Sequence, residues 1–225
     1  MTFMKIKLAW QKLLVDQKSF VTRDELEPIC AAIDKDYRTV VHYLLEHKFI
    51  IRIFKGIFYV RGPDEIQRGM TKPTVYELVA EGLRMKNVKK WYYGLETALK
   101  FNNMTHEYFR VNYVITDSLR TTKAIKVLDT EFRFIKWRPA FFENGLMTLN
   151  GLGYSDKEKT ILDLVYVRYT NRKMRSKDVL GRAKDLLAQY GDQLDIKRFG
   201  GYIPNYPIRM ENIVWQALDE SSLRG

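Results

Sequence analysis

The N-terminal part of the chain contains three segments whose apolar residues recur with a helical period. The first spans residues 5–15. The second begins at a capping box formed by Thr22 and Glu25, in which a hydroxyl and a carboxylate satisfy backbone amides at a helix start. The third spans residues 36–47. Its apolar residues share one face, and three side chains project outward from the other: Tyr37, Arg38 and His42.

A hairpin is predicted directly after the third helix. Residues 49–54 and 57–61 are rich in β-branched and aromatic side chains, and Lys55 and Gly56 join them. Glycine readily adopts the positive φ that a two-residue hairpin turn requires. Three helices followed by a hairpin with a basic tip are typical of a winged helix-turn-helix. We therefore predict that fold for residues 1–62.

A winged helix-turn-helix suggests binding to double-stranded DNA. Proteins of this class place the N-terminal residues of the recognition helix against base edges, while cations hold the phosphates. On this fold the base contacts would be made by Tyr37, Arg38 and Thr39, with His42 on the same outer face. The phosphate contacts would be made by Lys35, Arg52, Lys55 and Arg61. A winged helix used only for protein contacts is the alternative, since a fold does not fix a function.

The charge of the chain favours a polyanionic partner. With 38 Lys and Arg against 27 Asp and Glu, the net charge is +11. Nucleic acid is the first candidate partner, and an acidic protein surface is the second. A basic run in the C-terminal half is either a solvated face or an extension of the phosphate footprint. It contains Arg168, Arg172, Lys173, Arg175 and Lys177.

Length and turn residues predict two domains. A domain typically has about 100 to 200 residues, which fits two in this chain of 225. Glycine and proline in 63–73 predict a linker, and the second domain then spans 74–225. The expected fold class is α+β, with the winged helix followed by a larger mixed α/β domain that contains a small antiparallel sheet.

Local patterns predict the elements of the second domain. Capping boxes that begin at Thr74 and Ser155 predict two helix starts. Three further helices and three strands follow from periodicity. The helices are predicted over 91–101, 176–190 and 210–218, and the strands over 108–116, 124–128 and 131–138.

Several short motifs resemble the AbiEi-type antitoxin and viral-defence regulator family. They are Phe54-Lys55-Gly56-Ile57-Phe58-Tyr59, the segment 92–99 with Asn103-Met104-Thr105 and Val114-Ile115-Thr116, and Lys157-Glu158-Lys159-Thr160-Ile161-Leu162-Asp163. The resemblance covers residues 1–170. It implies a repressor of the operon that encodes it together with a nucleotidyltransferase-like toxin. It also implies an antitoxin that counters this toxin without a stable complex.

The motif residues also have a structural interpretation. Glu158 would cap a helix, Thr160 and Asp163 would lie on a helix of the core, and Gly94 would interrupt a helical run.

The sequence offers no convincing catalytic site. It lacks the Gly-Ser turn and Asp-x-Asp pair of a nucleotidyltransferase, and its three histidines and one cysteine lack zinc-ligand spacing. A metal-dependent nuclease is the main enzymatic alternative, because Asp129, Glu131 and Arg133 alternate along a predicted strand and a carboxylate pair can hold Mg²⁺. A ligand-sensing transcription factor is a third possibility. We expect no enzyme activity, cofactor or metal ion.

Cysteine content and hydropathy indicate a reducing compartment. Cys30 has no second cysteine to pair with and lies in a predicted helix, where it acts as a small buried apolar residue. No signal-peptide pattern or apolar run of about 20 residues is present. The expected location is the cytoplasm.

Overall fold

The structure is a computed structural model that describes residues 2–221 and shows a mixed α/β fold in two units. The N-terminal unit contains residues up to Asn87 together with Lys126–Thr130. The C-terminal unit contains Val88–Ile125 and the residues from Glu131 onward.

The N-terminal unit begins with three helices and a three-stranded antiparallel sheet. In chain order these elements are α1 (Thr2–Val15), β1 (Phe20–Thr22), α2 (Arg23–Ala32), α3 (Tyr37–Glu46), β2 (Ile50–Phe54) and β3 (Ile57–Val60). The sheet order is β1-β3-β2. All three predicted helices and the hairpin are present, whereas β1 was not predicted.

The local signals in the sequence act as expected in this unit. The backbone N–H of Thr22 donates to the Glu25 carboxylate at 2.8 Å, so α2 begins at Arg23 as predicted. Gly56 in the hairpin turn has a φ of 75°, which other residues rarely adopt. Val40, Val41 and Leu44 of α3 are buried in the core.

The segment predicted as a linker instead contains a helix, α4 (Pro63–Arg68). Its Glu65 carboxylate accepts hydrogen bonds from the Tyr59 hydroxyl at 2.7 Å and from the backbone N–H groups of Gly62 at 2.7 Å and Lys72 at 2.6 Å. The Tyr59 bond connects α4 to strand β3, and the two amide bonds hold the N-cap of α4 and the segment that follows it. The N-terminal unit therefore does not end at residue 62.

Helix α5 (Val75–Met85) also belongs to the N-terminal unit. It begins at the predicted capping box, and it contacts β2 and β3. At Gly82 the backbone approaches the sheet so closely that a Cβ would lie 2.7 Å from Ile53 and 2.6 Å from Phe54. The boundary between the units falls after Asn87, and not at residue 74, because α5 covers the hairpin.

The larger sheet has six strands and is mixed, not small and antiparallel as predicted. Its strands are β4 (Trp91–Gly94), β5 (Val111–Thr116), β6 (Ile125–Val127), β7 (Thr130–Lys136), β8 (Leu146–Leu149) and β9 (Leu152–Ser155). Their order is β6-β7-β5-β4-β9-β8. The pairs β4–β5 and β8–β9 are antiparallel, whereas β5–β7 and β4–β9 are parallel.

Five α-helices lie in the described part of the C-terminal unit. They are α6 (Glu96–Phe101), α7 (Lys157–Tyr169), α8 (Ser176–Tyr190), α9 (Ile196–Tyr202) and α10 (Ile208–Asp219). The bounds of α8 match the prediction, and α10 extends the predicted 210–218 at both ends. The helix predicted over 91–101 was wrong in its first half, which is the central strand β4. Within the described residues, no helix is long and apolar enough to cross a membrane.

Helix α7 begins differently from the prediction. Its N-cap is Asp156, whose carboxylate accepts the backbone N–H of Lys159 at 2.8 Å. Ser155, the predicted cap, ends β9, and its hydroxyl lies 2.7 Å from that of Thr160. Ser155 thus belongs to strand β9, and the next residue, Asp156, caps the helix instead.

Candidate nucleic-acid interface

The outer face of α3 presents polar side chains beside its N-terminus. Asp36 is the N-cap, and its carboxylate accepts the backbone N–H of Thr39 at 3.0 Å. Arg38, Thr39 and His42 are exposed. Because residues four apart lie one above the other on a helix, Arg38 and His42 share one stripe. This stripe can approach a ligand without disturbing the core.

A groove of about 1220 Å³ lies in the N-terminal unit between α3 and the hairpin. It contains five of the eight residues predicted to bind DNA: Tyr37, Arg38, His42, Arg52 and Lys55. It also contains Arg23 and Lys86, which sequence reasoning missed. Its lining has five cationic side chains against two acidic ones, Asp24 and Glu46. The groove is therefore a basic concave surface.

Strand β1 explains why Arg23 reaches the groove. Thr22 pairs with Ile57 in the sheet, and the backbone N–H of Arg23 donates to the Gly56 carbonyl at 2.8 Å. The first residue of α2 is thereby held at the hairpin tip beside Lys55. The sequence signal for β1 is the short apolar run before Thr22, but this run is too brief to be recognised as a strand.

Aromatic rings support three of the groove cations. The guanidinium carbon of Arg23 lies 5.1 Å from the centre of the Tyr37 ring, and that of Arg52 lies 5.8 Å from the Phe58 ring. The ammonium of Lys86 lies 5.6 Å from the Phe54 ring. Cation–π contacts of this kind orient a charge without neutralising it. The groove can thus present oriented cations to an anion, with the charge of Arg23 shared with Glu27, whose carboxylate lies 2.7 Å from the guanidinium.

Tyr37 contributes a neutral hydroxyl to the groove. Burial of the half-buried ring raises the pKa of Tyr37 above its usual value, although nearby Arg23 and Arg52 act to lower it. The phenol keeps its proton at neutral pH and can both donate and accept hydrogen bonds.

Two predicted phosphate ligands do not lie in the groove. Lys35 is half-buried in the turn before α3. Arg61 is only 4% exposed, and its guanidinium donates to the backbone carbonyls of Lys48, Glu65 and Met70. The prediction for Arg61 was wrong, because its guanidinium is buried and its N–H groups are already used by backbone carbonyls.

The second basic surface lies at the end of α7, in the following loop and at the start of α8. All five of its predicted residues are exposed. Arg175 occupies the N-cap position of α8, and its guanidinium Nε lies 3.5 Å from the Asp178 carboxylate. Cations at a helix N-terminus oppose the helix dipole, and Asp178 in the first turn offsets them. The surface is solvated, and its role as a phosphate footprint stays a prediction.

The motif at the start of α7 faces the core. The Lys159 ammonium lies 3.2 Å from the Asp163 carboxylate, which also accepts the hydroxyls of Tyr92 at 2.8 Å and Tyr206 at 2.6 Å. All four side chains are buried, and desolvation raises the pKa of Tyr92 and Tyr206 well above the usual value. The Glu158 carboxylate accepts the backbone N–H of Asp195 at 2.8 Å. Asp163 thus lies on a helix of the core, as predicted, whereas Glu158 does not cap α7 and instead bonds to the residue before α9.

The carboxylates considered for metal binding each pair with a cation. Asp129 lies in the turn between β6 and β7 and does not alternate with Glu131 on one strand, and its carboxylate lies 3.1 Å from the Lys126 ammonium. Glu131 pairs with Arg110 at 3.0 Å. Within the described residues, no group of three or more His, Cys, Asp or Glu could hold a metal ion.

Burial raises the pKa of the Cys30 thiol to about 11, so this cysteine stays protonated.

Comparison with known proteins finds similarity in structure but not in sequence. No protein-family model matches the sequence, and no curated protein matches it. The fold is similar to that in the crystal structure of the RV2827C protein from Mycobacterium tuberculosis, with a TM-score of 0.55 and 13% sequence identity. The similarity covers 96% of this chain and 76% of that chain. At this identity, it concerns the fold alone.

Proposed function

We propose that the N-terminal unit is a winged helix-turn-helix that binds double-stranded DNA, and that the chain is a transcriptional repressor. The observation that carries the proposal is the groove between α3 and the hairpin, where cations from these elements, from the start of α2 and from the end of α5 give five cations against two acids. A helix flanked by a basic hairpin matches the geometry with which this class enters the major groove and holds the adjacent backbone.

The groove residues divide into two roles. Arg38 and His42 lie on the exposed stripe of α3 and would face base edges, where an arginine can bind guanine through two hydrogen bonds. Arg52 and Lys55 lie on the hairpin and would bind phosphates. Arg23 and Lys86 would extend the phosphate contacts on either side.

Fluorescence anisotropy tests the DNA-binding proposal. The full chain is titrated onto a labelled duplex from its own upstream region and onto a random duplex of equal length. We expect tighter binding to the upstream duplex, and weaker binding to both duplexes after Lys55→Ala. Lys12→Ala is the matched control, because Lys12 is an exposed lysine on α1 that does not line the groove. Equal affinity of Lys55→Ala and Lys12→Ala would overturn the assignment of the groove.

We also propose that the chain represses its own operon and acts as the antitoxin of a nucleotidyltransferase-like toxin. The resemblance of its motifs to the AbiEi-type family supports this extension. The burial of Lys159 and Asp163 indicates that one of these motifs serves the fold, so toxin control would depend on other residues of the C-terminal unit.

Co-expression tests the antitoxin proposal. The neighbouring reading frame is induced alone and together with this chain, and growth and promoter activity are followed. We expect the wild type to restore growth and repress the promoter. Arg38→Ala should restore growth without full repression, because it changes the DNA-binding unit alone. A toxic neighbour that this chain does not counter would contradict the antitoxin proposal and leave the DNA-binding proposal intact.

A further inference from the structure

Strand β8 is an edge strand with an apolar, exposed surface. Among the strands that the structure describes, it pairs with β9 alone and ends the six-stranded sheet. All four of its residues are exposed, including Leu146 at 39%, Met147 at 46% and Leu149 at 52%. An edge strand of this composition is a template for pairing with another strand.

The register shows which backbone groups of β8 point away from the sheet. Leu149 pairs with Leu152 across a two-residue turn, and the backbone N–H of Asp156 donates to the carbonyl of Gly145. Antiparallel ladders alternate between hydrogen-bonded and non-hydrogen-bonded pairs. Positions 145, 147 and 149 therefore bond to β9 and its flank, and the N–H and C=O groups of Leu146 and Thr148 point outward.

The β8 edge lacks most of the features that usually prevent strand pairing. Natural edge strands are protected by short length, lysine, proline, bulges or covering segments, and of these β8 has its short length of four residues. The β8–β9 register is regular, and residues 144–155 contain no charged side chain. In a chain with a net charge of +11, this hairpin is thus a place where a second copy can approach without local repulsion between cations.

We propose that β8 pairs in antiparallel fashion with β8 of a second copy, and that the chain is a two-fold symmetric dimer. With Met147 on the two-fold axis, Leu146 lies opposite Thr148 of the partner, and the outward N–H and C=O groups of both residues pair. Met147 then faces its own copy in a non-hydrogen-bonded position, where side chains approach most closely. The two sheets join into one sheet that continues through both copies.

A second copy explains more of the observations than a different partner does. A two-fold interface must be self-complementary, and the β8 edge offers matching outward groups at positions 146 and 148 about its central residue. A cationic chain would attract an acidic partner through its basic surfaces, whereas β8 offers no charge for recognition. The inference depends on the hairpin alone and is independent of DNA binding.

Sedimentation velocity of the full chain tests the proposal. We expect a concentration-dependent dimer in the wild type. Met147→Lys should raise the dissociation constant of the dimer by on the order of a hundredfold, because it places two cations opposite each other at the axis. Met70→Lys is the matched control, because Met70 is an exposed methionine of the N-terminal unit and the substitution adds the same charge. It should leave the dimer unchanged.

A second variant tests the backbone pairing directly. Thr148→Pro removes an outward N–H that β9 does not use, so the hairpin should keep its fold while the dimer is lost. Circular dichroism checks the fold of each variant. A monomeric wild type would overturn the proposal, and so would a dimer that persists in both Met147→Lys and folded Thr148→Pro. If both variants lose the dimer but the wild type does not bind DNA in the anisotropy titration, the dimer proposal stands and only the proposed function is contradicted.

Discussion

Glu65 should contribute more to stability than an ordinary helix cap, because its carboxylate links three parts of the N-terminal unit. It accepts the Tyr59 hydroxyl from β3, the Gly62 amide at the start of α4 and the Lys72 amide beyond its end. A hydrogen bond to a charged acceptor contributes about 1.5 to 3 kcal/mol. Water can reach the two amides after truncation, so we expect Glu65→Ala to lower the free energy of unfolding by about 3 to 5 kcal/mol.

Glu77 offers a matched control for this prediction. Its carboxylate caps α5 through the backbone N–H of Thr74, in the same capping-box geometry, but its hydrogen bonds are exposed. Glu77→Ala should cost only about 0.5 to 1 kcal/mol. Urea unfolding of the full chain, followed by circular dichroism, compares the two variants with the wild type. Equal losses for Glu65→Ala and Glu77→Ala would refute the inference that Glu65 fastens α4 to the hairpin.

The carboxylate of Glu65 also leads to a prediction about how the stability of the fold depends on pH. Burial acts to raise the pKa of Glu65, but the hydrogen bonds from Tyr59, Gly62 and Lys72 outweigh it and lower the pKa below its usual value. A carboxyl with a lowered pKa in the folded state stabilises the fold above its unfolded pKa, and this contribution falls as the pH drops through the folded value. The wild type should therefore lose more stability than Glu65→Gln on acidification below about pH 4.5. Parallel pH profiles of the two proteins would contradict the lowered pKa.

Three further predictions concern the groove and the buried cluster. Arg38→Ala should reduce the discrimination between upstream and random DNA by about 1 to 3 kcal/mol if Arg38 contacts a base, whereas uniform weakening in anisotropy titrations would make it a phosphate ligand. The four groove cations assigned to phosphates predict a slope of log affinity against log salt of up to about −3.6, and Lys55→Ala should reduce its magnitude by about 1. An unchanged slope would exclude Lys55 from the phosphate contacts. Asp163→Ala should cost about 3 to 5 kcal/mol in urea unfolding because it leaves the buried Lys159 unpaired, and adding Lys159→Met should recover much of the loss. Equal stability of the single and double variants would contradict the charge argument.

The sequence predicts best those elements whose ends are set by local chemistry. The capping boxes at Thr22 and Thr74 each satisfy backbone amides within one helical turn, and both helices begin as predicted. The turn at Gly56 depends on one residue with a positive φ. These features need no information from distant parts of the chain.

Elements that depend on distant neighbours were missed. Residues 91–94 have an aromatic pattern that suits a helix as well as a strand, and pairing with both β5 and β9 makes them the strand β4. At Gly94 a Cβ would lie 2.8 Å from the Ile115 side chain. The glycine allows close packing against β5, so its role is set by a residue far away in sequence.

The different surroundings of Arg52 and Arg61 show what determines whether a cation is available to bind a phosphate. The two arginines lie near opposite ends of one hairpin and carry the same charge. Arg52 lies in the groove over the Phe58 ring, whereas Arg61 is covered by α4 and donates to the carbonyls of Lys48, Glu65 and Met70. Burying a charged group is costly unless it is hydrogen-bonded, and an arginine with five N–H groups can bond to several carbonyls at once. A cation beside a strand is therefore available to a phosphate only where it stays exposed and its N–H groups are not used inside the fold. For Arg61 that condition depends on α4, which follows the hairpin in the sequence.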